Sequence, residues 1–269
     1  MKLTKVQVTN FRSVEDSGEF TIGDLTCLVG KNEAGKTAIL NAIQGIAPSD
    51  GDYEYDKTRD YPRRYLSKFA ERHPKGNSPV AKSWWLLEDD DVLELEDLLG
   101  EGVVKESEVT ITSYIGHGNT WMIPVDEKGC ITKLQARHGL NQKDKADLKS
   151  VKTTQEALGV LKGLSERSES QTALMQAIEK FRDGSAVLAA IDLLSKIKPK
   201  FFYTSHFERM SGEISLNQLA SDKQNGKVSS GDRIFLDFLE YAGTTIEELR
   251  DATTVSYTHL RAHETDSYL

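Results

Sequence analysis

Polar and apolar residues alternate along Lys5-Val6-Gln7-Val8-Thr9, which predicts a half-buried β-strand because successive strand side chains face opposite ways. Glu19-Phe20-Thr21-Ile22 repeats that alternation after a turn signal at Asp16-Ser17-Gly18. Leu25-Thr26-Cys27-Leu28-Val29 is almost continuously apolar, the pattern of a strand covered on both faces. Ile39, Ala42, Ile43 and Ile46 then recur at helical spacing, so a helix is expected over residues 38–46, stopped by Ala47-Pro48-Ser49-Asp50-Gly51. Residues 52–79 are polar and carry Pro62, Pro74 and Pro79, so mostly loop is expected, with a short helix near residues 64–71. Residues 80–87 read as a strand and 91–99 as an acidic helix stopped by Gly100. Residues 109–115 and 120–125 alternate around Gly116-His117-Gly118-Asn119, a hairpin signal.

From residue 141 to 198 the character changes, with few aromatics and many Lys, Glu, Gln and Ser. Ala157, Leu158, Leu161 and Leu164 fit one helix face, Leu174, Ile178 and Phe181 a second, and residues 186–197 a third helix ended by Pro199. Strand chemistry resumes at Lys200-Phe201-Phe202-Tyr203-Thr204. Residues 234–242 are helical in pattern, and Thr245-x-x-Glu248 opens a further helix with a capping box.

One short loop carries chemistry. Gly30-x-x-x-x-Gly35-Lys36-Thr37 matches the phosphate-cradling pattern G-x-x-x-x-G-K-[ST]. Its glycines let the backbone curl so that N–H groups converge on phosphate oxygens, and the helix that follows adds the positive end of its dipole. Gly30, Lys31, Asn32, Glu33, Ala34, Gly35, Lys36, Thr37 and Ala38 are therefore the expected nucleotide-binding residues. In such a loop the lysine meets the β- and γ-phosphates and the Thr37 hydroxyl meets Mg²⁺. ATP is the expected nucleotide, since no Asn-Lys-x-Asp motif for reading guanine occurs in the chain.

The residues flanking the loop narrow its class. The order Val6–Phe11, Arg12-Ser13, a strand at 20–22, then Leu25 through Ile43 resembles the N-terminus of ABC-type ATPase heads in the SMC, RecF and OLD families. Asn10-Phe11-Arg12-Ser13 is characteristic of them, and Asn32-Glu33-Ala34-Gly35-Lys36-Thr37-Ala38 is closest to OLD-like ATPases. The likeness covers residues 1–46, and more loosely Asp60-Tyr61-Pro62-Arg63 and Phe201-Phe202-Tyr203. It implies an α/β fold of the P-loop NTPase kind, a mixed sheet around the P-loop helix with an inserted helical arm, incomplete at the C-terminus. The expected organisation is residues 1–140 as the first part of the head, 141–198 as the arm and 199–254 as its continuation. It also implies that Arg12 and Ser13 lie against the phosphates. Such heads pair as homodimers, couple Mg-ATP to DNA processing or to repair and anti-phage work, and complete each site with a partner's Ser-Gly-rich signature and an Asp-Glu pair. Val228-Ser229-Ser230-Gly231 superficially resembles a signature, although a plain helix cap is the simpler reading; no strand ending in Asp-Glu follows. Residues 255–269 lack periodicity and resemble translated adapter sequence, so a non-native tail is expected, the natural protein continuing past about Thr254. The nuclease that follows in OLD-like proteins has no recognisable acidic cluster here, and hydrolysis by this piece alone is expected to be weak.

Two alternatives stay open. Trp84-Trp85-Leu86-Leu87-Glu88-Asp89 is an apolar strand ending in acids, which suits a self-contained AAA+ or RecA-type ATPase with Glu88 or Asp89 on the metal. A nucleotide-gated binding module that does not hydrolyse is the other. Basic residues gather at Lys57, Arg59, Arg63, Arg64, Lys68, Arg72 and Lys75, and again at Lys143, Lys145, Lys149 and Lys152. DNA phosphates are conceivable partners for either set. The net charge of −8 removes generic polyanion binding by the whole chain. The longest apolar run falls well short of the ~18 residues that a membrane span needs. With only Cys27 and Cys130 present, a disulfide framework is implausible and a cytoplasmic setting is expected.

Overall fold

The computed structural model describes residues 1–31, 33–49, 51, 53–203 and 214–252. Asn32, Thr204 and residues 255–269, which carry expectations above, lie outside the described residues. The chain divides into two compact units, one of Met1–Ala47 with Tyr53–Lys200, the other of Pro48–Asp52 with Phe201–Leu269.

The first unit begins with β1 (Lys2–Phe11) and β2 (Val14–Thr21), joined by the turn Arg12-Ser13. After α1 (Lys36–Gln44) come α2 (Lys57–Asp60), a 3₁₀ turn at Arg63–Lys68 and α3 (Phe69–Arg72). β3 (Ser78–Leu86), α4 (Asp89–Leu99), β4 (Glu108–Ile115) and β5 (His117–Met122) follow. The five strands form one sheet in the order β2-β1-β3-β4-β5. Val6, Val8, Val109 and Ile111 are fully buried, in keeping with the predicted alternation, and Trp85 of β3 is fully buried as well. The polar edge of Trp85 is satisfied inside, its Nε1 donating to Ser83 Oγ at 2.9 Å.

Every pairing in this sheet is antiparallel, which corrects the expected mixed sheet. Tight connections are the cause at two places, since a strand that turns back through Arg12-Ser13 or through Gly116 can only run antiparallel to the one before it. The predicted four-residue hairpin loop contracts to Gly116, whose φ of +75° suits glycine and where a Cβ would lie 2.6 Å from the Gly76 carbonyl oxygen.

A second correction concerns residues 25–29. They form no strand, and Leu25 and Val29 are 93% and 89% exposed. A strand apolar on both faces needs a neighbour along its edges and a layer on each side, and no described strand pairs with it.

Helices α5 (Glu127–Arg137), α6 (Gln142–Asp147), α7 (Thr154–Gly163), α8 (Glu169–Glu179) and α9 (Ala186–Ile197) complete the unit. Helix α5 escaped the sequence reading, although Asp126 caps it by accepting from the Gly129 N–H at 2.9 Å. The apolar positions read on residues 141–198 become a core, with Leu161, Leu174, Ile178 and Leu194 fully buried. Helix α9 packs on α4 and α5, and α7 on α5 and α8.

In the second unit, α10 (Leu216–Gln224), α11 (Ser230–Tyr241) and a helical turn over 246–252 enclose Leu219, Leu239 and Ile246. The predicted capping box forms, Glu248 N–H donating to Thr245 Oγ1 and Thr245 N–H to Glu248 Oε2. Of the strand expected at 200–204, the described part makes one parallel bridge, Phe201 to Pro48. No helix among the described residues is long and apolar enough to cross a membrane.

Candidate functional site

The site is assembled where the β1–β2 turn meets the start of α1. Phe11 and Val14 pair across that turn, leaving Arg12 and Ser13 as its tip. Arg12 takes a φ of +50°, a conformation that costs a side-chain-bearing residue about 1 kcal/mol or more. Neighbouring contacts hold it there. Its N–H donates to the Asp60 carbonyl at 2.6 Å, its guanidinium to Asp60 Oδ1 at 3.3 Å, and it lies over the Phe11 ring.

Residues 30, 31 and 33–35 curl beside this turn. Glu33 and Gly35 both have positive φ, +67° and +88°, and Ala34 N–H closes a turn on the Lys31 carbonyl at 3.2 Å. A Cβ added at Gly35 would lie 3.1 Å from Val14 Cγ2 and 3.3 Å from Ser13 Oγ. The glycine is therefore favoured twice, by its backbone angle and by the closeness of Val14 and Ser13. That closeness puts Ser13 beside Gly35 of the loop.

Helix α1 starts at Lys36 with Gly35 as its cap and with no side chain capping its N–H groups. A helix start leaves its first N–H groups without partners in the helix, and an anion satisfies them. The Lys36 ammonium folds back over the loop, donating to the carbonyls of Gly30 and Lys31 at 2.7 Å each. It is thus held by neutral acceptors, so its charge remains for an incoming anion. Thr37 is exposed and Ala38 buried. Ala38 and Ala42 form the small-residue face with which α1 meets the sheet. At the far end of α1, the Tyr55 hydroxyl donates to the Ala42 carbonyl at 2.6 Å. Cys27, in the segment before the loop, is exposed, and Cys130 is buried in α5, where burial pushes its thiol up to about 12.

Asp60 stands in the sequence within Asp60-Tyr61-Pro62-Arg63, a stretch of only loose family likeness, and no local pattern marks its role. It is fully buried and accepts from Tyr53, Arg59, Arg12 and the Asp56 N–H. Burial by itself would raise its pKa. The hydrogen bonds from Arg59, the Asp56 N–H and Tyr53 outweigh that and hold the carboxyl below the usual carboxylate range. The one available hint was Asp56, which caps α2 by accepting from Thr58 and Arg59 N–H groups.

Glu88 and Asp89 do not join this site, which counts against the metal role that the AAA+ or RecA-type alternative gave them. Leu86 at the end of β3 pairs with Lys2 at the beginning of β1. Arg12 and the loop lie past the opposite end of β1, a strand of ten residues that spans about 30 Å at roughly 3.3 Å per residue. A Mg²⁺ on Thr37 would need its other ligands about 2 Å from the ion. Instead Glu88 caps α4 in a capping box with Asp91, and the Met1 amino group pairs with Asp91 at 2.6 Å.

Ser229 likewise serves as the cap of α11, accepting from the Asp232 N–H at 3.1 Å. In the basic stretch after α1, Arg64 pairs with Glu15, Arg64 and Arg72 lie over the Tyr65 ring, and Lys57 lies over Phe69. Lys143, Lys149 and Lys152 are exposed, and Lys145 is half-buried.

Residues 1–114 match the family model described as AAA ATPase domain. An uncharacterized protein of Methanocaldococcus jannaschii is 33% identical over 88 residues, which cover 32% of this chain and 24% of that protein. The chain thus spans about a quarter of the length of the curated relative it matches. Residues 1–114 are thus similar to an AAA-type, P-loop ATPase domain, a likeness that suggests nucleotide binding.

Proposed function

We propose that this chain binds Mg-ATP at residues 30–38 and works as part of an ATPase head of the OLD or SMC-like kind. The observation that carries the reading is Lys36, whose ammonium is folded over the loop onto the Gly30 and Lys31 carbonyls directly above an uncapped helix start. A triphosphate tail fits that chemistry. The N–H groups of Lys36, Thr37 and Ala38 would meet phosphate oxygens, Lys36 would exchange two neutral acceptors for anionic ones, and Thr37 would offer its hydroxyl to Mg²⁺. When bound, Mg²⁺ neutralises and orients the β- and γ-phosphates. Ser13 adjoins Gly35 and would add a hydroxyl, and Arg12 beside it in sequence would add a cation.

In the same reading, two heads pair around nucleotide, and that pairing is coupled to work on DNA. The segment carrying Lys57, Arg63, Lys68, Arg72 and Lys75 supplies exposed cations for phosphate contact.

The test is titration of Mg-ATP and Mg-GTP into the chain and into its Lys36→Ala variant, with melting curves as the folding control. Wild type should bind ATP more tightly than GTP. Loss of the lysine should weaken ATP binding on the order of 100-fold, the size expected for removing a charge-assisted contact to phosphate. Equal affinity in both proteins would overturn the assignment. Turnover alone should be slow, and should survive Glu88→Gln and Asp89→Asn unchanged.

A further inference from the structure

Asp60 has 0% exposure, and an ionised carboxylate persists in such a place only when donors surround it. Four groups do so. The Tyr53 hydroxyl donates at 3.0 Å, the Asp56 N–H at 3.1 Å, Arg59 through Nε and Nη2 at 3.0 and 2.8 Å, and Arg12 at 3.3 Å. Asp60 also holds Arg12 a second time, through its backbone carbonyl at 2.6 Å. Arg12 is therefore gripped by main chain and side chain of a residue 48 positions away. The grip falls on a hairpin tip whose backbone would otherwise relax, since Asn10 and Arg12 both sit at φ +50°. Ser13, next in sequence, is the side chain against Gly35.

From this chain of contacts we infer that Asp60 is a positioning residue of the nucleotide site, acting through Arg12: it fixes the turn that sets Ser13 against the loop and holds the Arg12 guanidinium in one orientation for the phosphates. The inference rests on the nucleotide reading above. A guanidinium suits this task because it is planar and carries several donors, so one edge can stay on Asp60 while others remain for phosphate oxygens. Arg12 keeps 38% of its side chain exposed, which leaves those donors accessible. Arg59 occupies the other oxygen of the same carboxylate and provides an internal control, because breaking its contact perturbs Asp60 without touching Arg12.

The experiment is calorimetric titration of Mg-ATP into the full chain carrying Asp60→Asn, Arg12→Ala, the two together, Arg12→Lys, Arg59→Gln or Lys36→Ala, each checked by thermal melting. Asp60→Asn and Arg12→Ala should each weaken binding about tenfold, the scale of one charge-assisted hydrogen bond. The double variant should be no weaker than Arg12→Ala by more than about twofold, since residues acting as one unit are not additive. Arg59→Gln should lower the melting temperature yet bind within about twofold of wild type, which a purely structural role of Asp60 does not allow. Arg12→Lys serves should Asp60→Asn fail to fold. It keeps the charge but loses the planar fork, and should bind as weakly as Arg12→Ala. Wild-type affinity in Arg12→Lys or in a folded Asp60→Asn, or multiplying losses in the double variant, would overturn the inference. If Lys36→Ala also binds like wild type, the nucleotide reading itself fails; if only Lys36→Ala loses affinity, that reading stands and the role of Asp60 falls.

Discussion

At the scale of single residues, strain and charge meet at the tip of the first hairpin. Arg12 occupies a left-handed conformation that its own sequence does not favour, and a buried carboxylate keeps it there. Stability should therefore depend on the ionisation of Asp60. Its folded pKa is lowered, whereas an unfolded aspartate titrates near ~3.9. The sign follows from proton linkage: the stabilisation is complete above the unfolded pKa and is lost as pH falls through the folded one. Arg12 and Arg59 are 38% and 52% exposed, so solvent screens part of the attraction and the loss in Asp60→Asn should be on the order of 2 kcal/mol. Denaturant melts of both proteins from pH 7 to pH 3 should show that gap steady down to about pH 5 and closing below about pH 4. A gap that is the same at both ends would mean that the charge of Asp60 is not what holds the turn.

At the scale of elements, the alternating strands were legible because their covering is local and periodic. β1 and β4 bury the alternate residues that the pattern named, Val6 and Val8, and Val109 and Ile111. Helix α1 was legible from a glycine at its start and spaced apolar positions after it, and the phosphate loop from the spacing of Gly30, Gly35 and Lys36. Asp60 was not legible, since its burial depends on Tyr53 and on an arginine from a strand turn 48 residues away. Pairing direction was also hidden, because alternation marks a strand without naming its neighbour. Residues 25–29 show the same gap from the other side. Their composition calls for cover on both faces, yet Leu25 and Val29 are 93% and 89% exposed. A short apolar run of high strand propensity, open to water, templates contacts between chains. Replacing Leu25 and Val29 by lysine should reduce concentration-dependent association in light scattering while leaving the melting temperature within about 2 °C, as surface changes usually do. A large fall in stability would instead show that these side chains are covered in solution.

At the scale of the whole molecule, apolar burial is unevenly distributed between the two units. In the first, β3 alone buries Val80, Ala81, Trp84 and Trp85, and β4 adds Val109, Ile111 and Ile115. In the second, the described core centres on three buried side chains, Leu219, Leu239 and Ile246, while Phe238 and Tyr241 on α11 are 53% and 91% exposed. Each fully buried large apolar side chain contributes about 1.5–3 kcal/mol, so a three-residue centre offers little against the cost of ordering two helices and a turn. Segments with few buried contacts open at lower free energy than those at the heart of a core. Amide hydrogen exchange should accordingly find β3 and β4 slowest, and α10 and α11 faster by at least ~100-fold, about 2.7 kcal/mol in opening free energy. Leu239→Ala should cost the second unit about 2–5 kcal/mol, which is comparable with its whole local stability, and should drive α10 and α11 close to unprotected rates. The same substitution should leave β3 and β4 unchanged. If protection were instead uniform across both units, or if Leu239→Ala accelerated exchange in the sheet, opening would be governed by one cooperative core and the local count of buried side chains would not predict it.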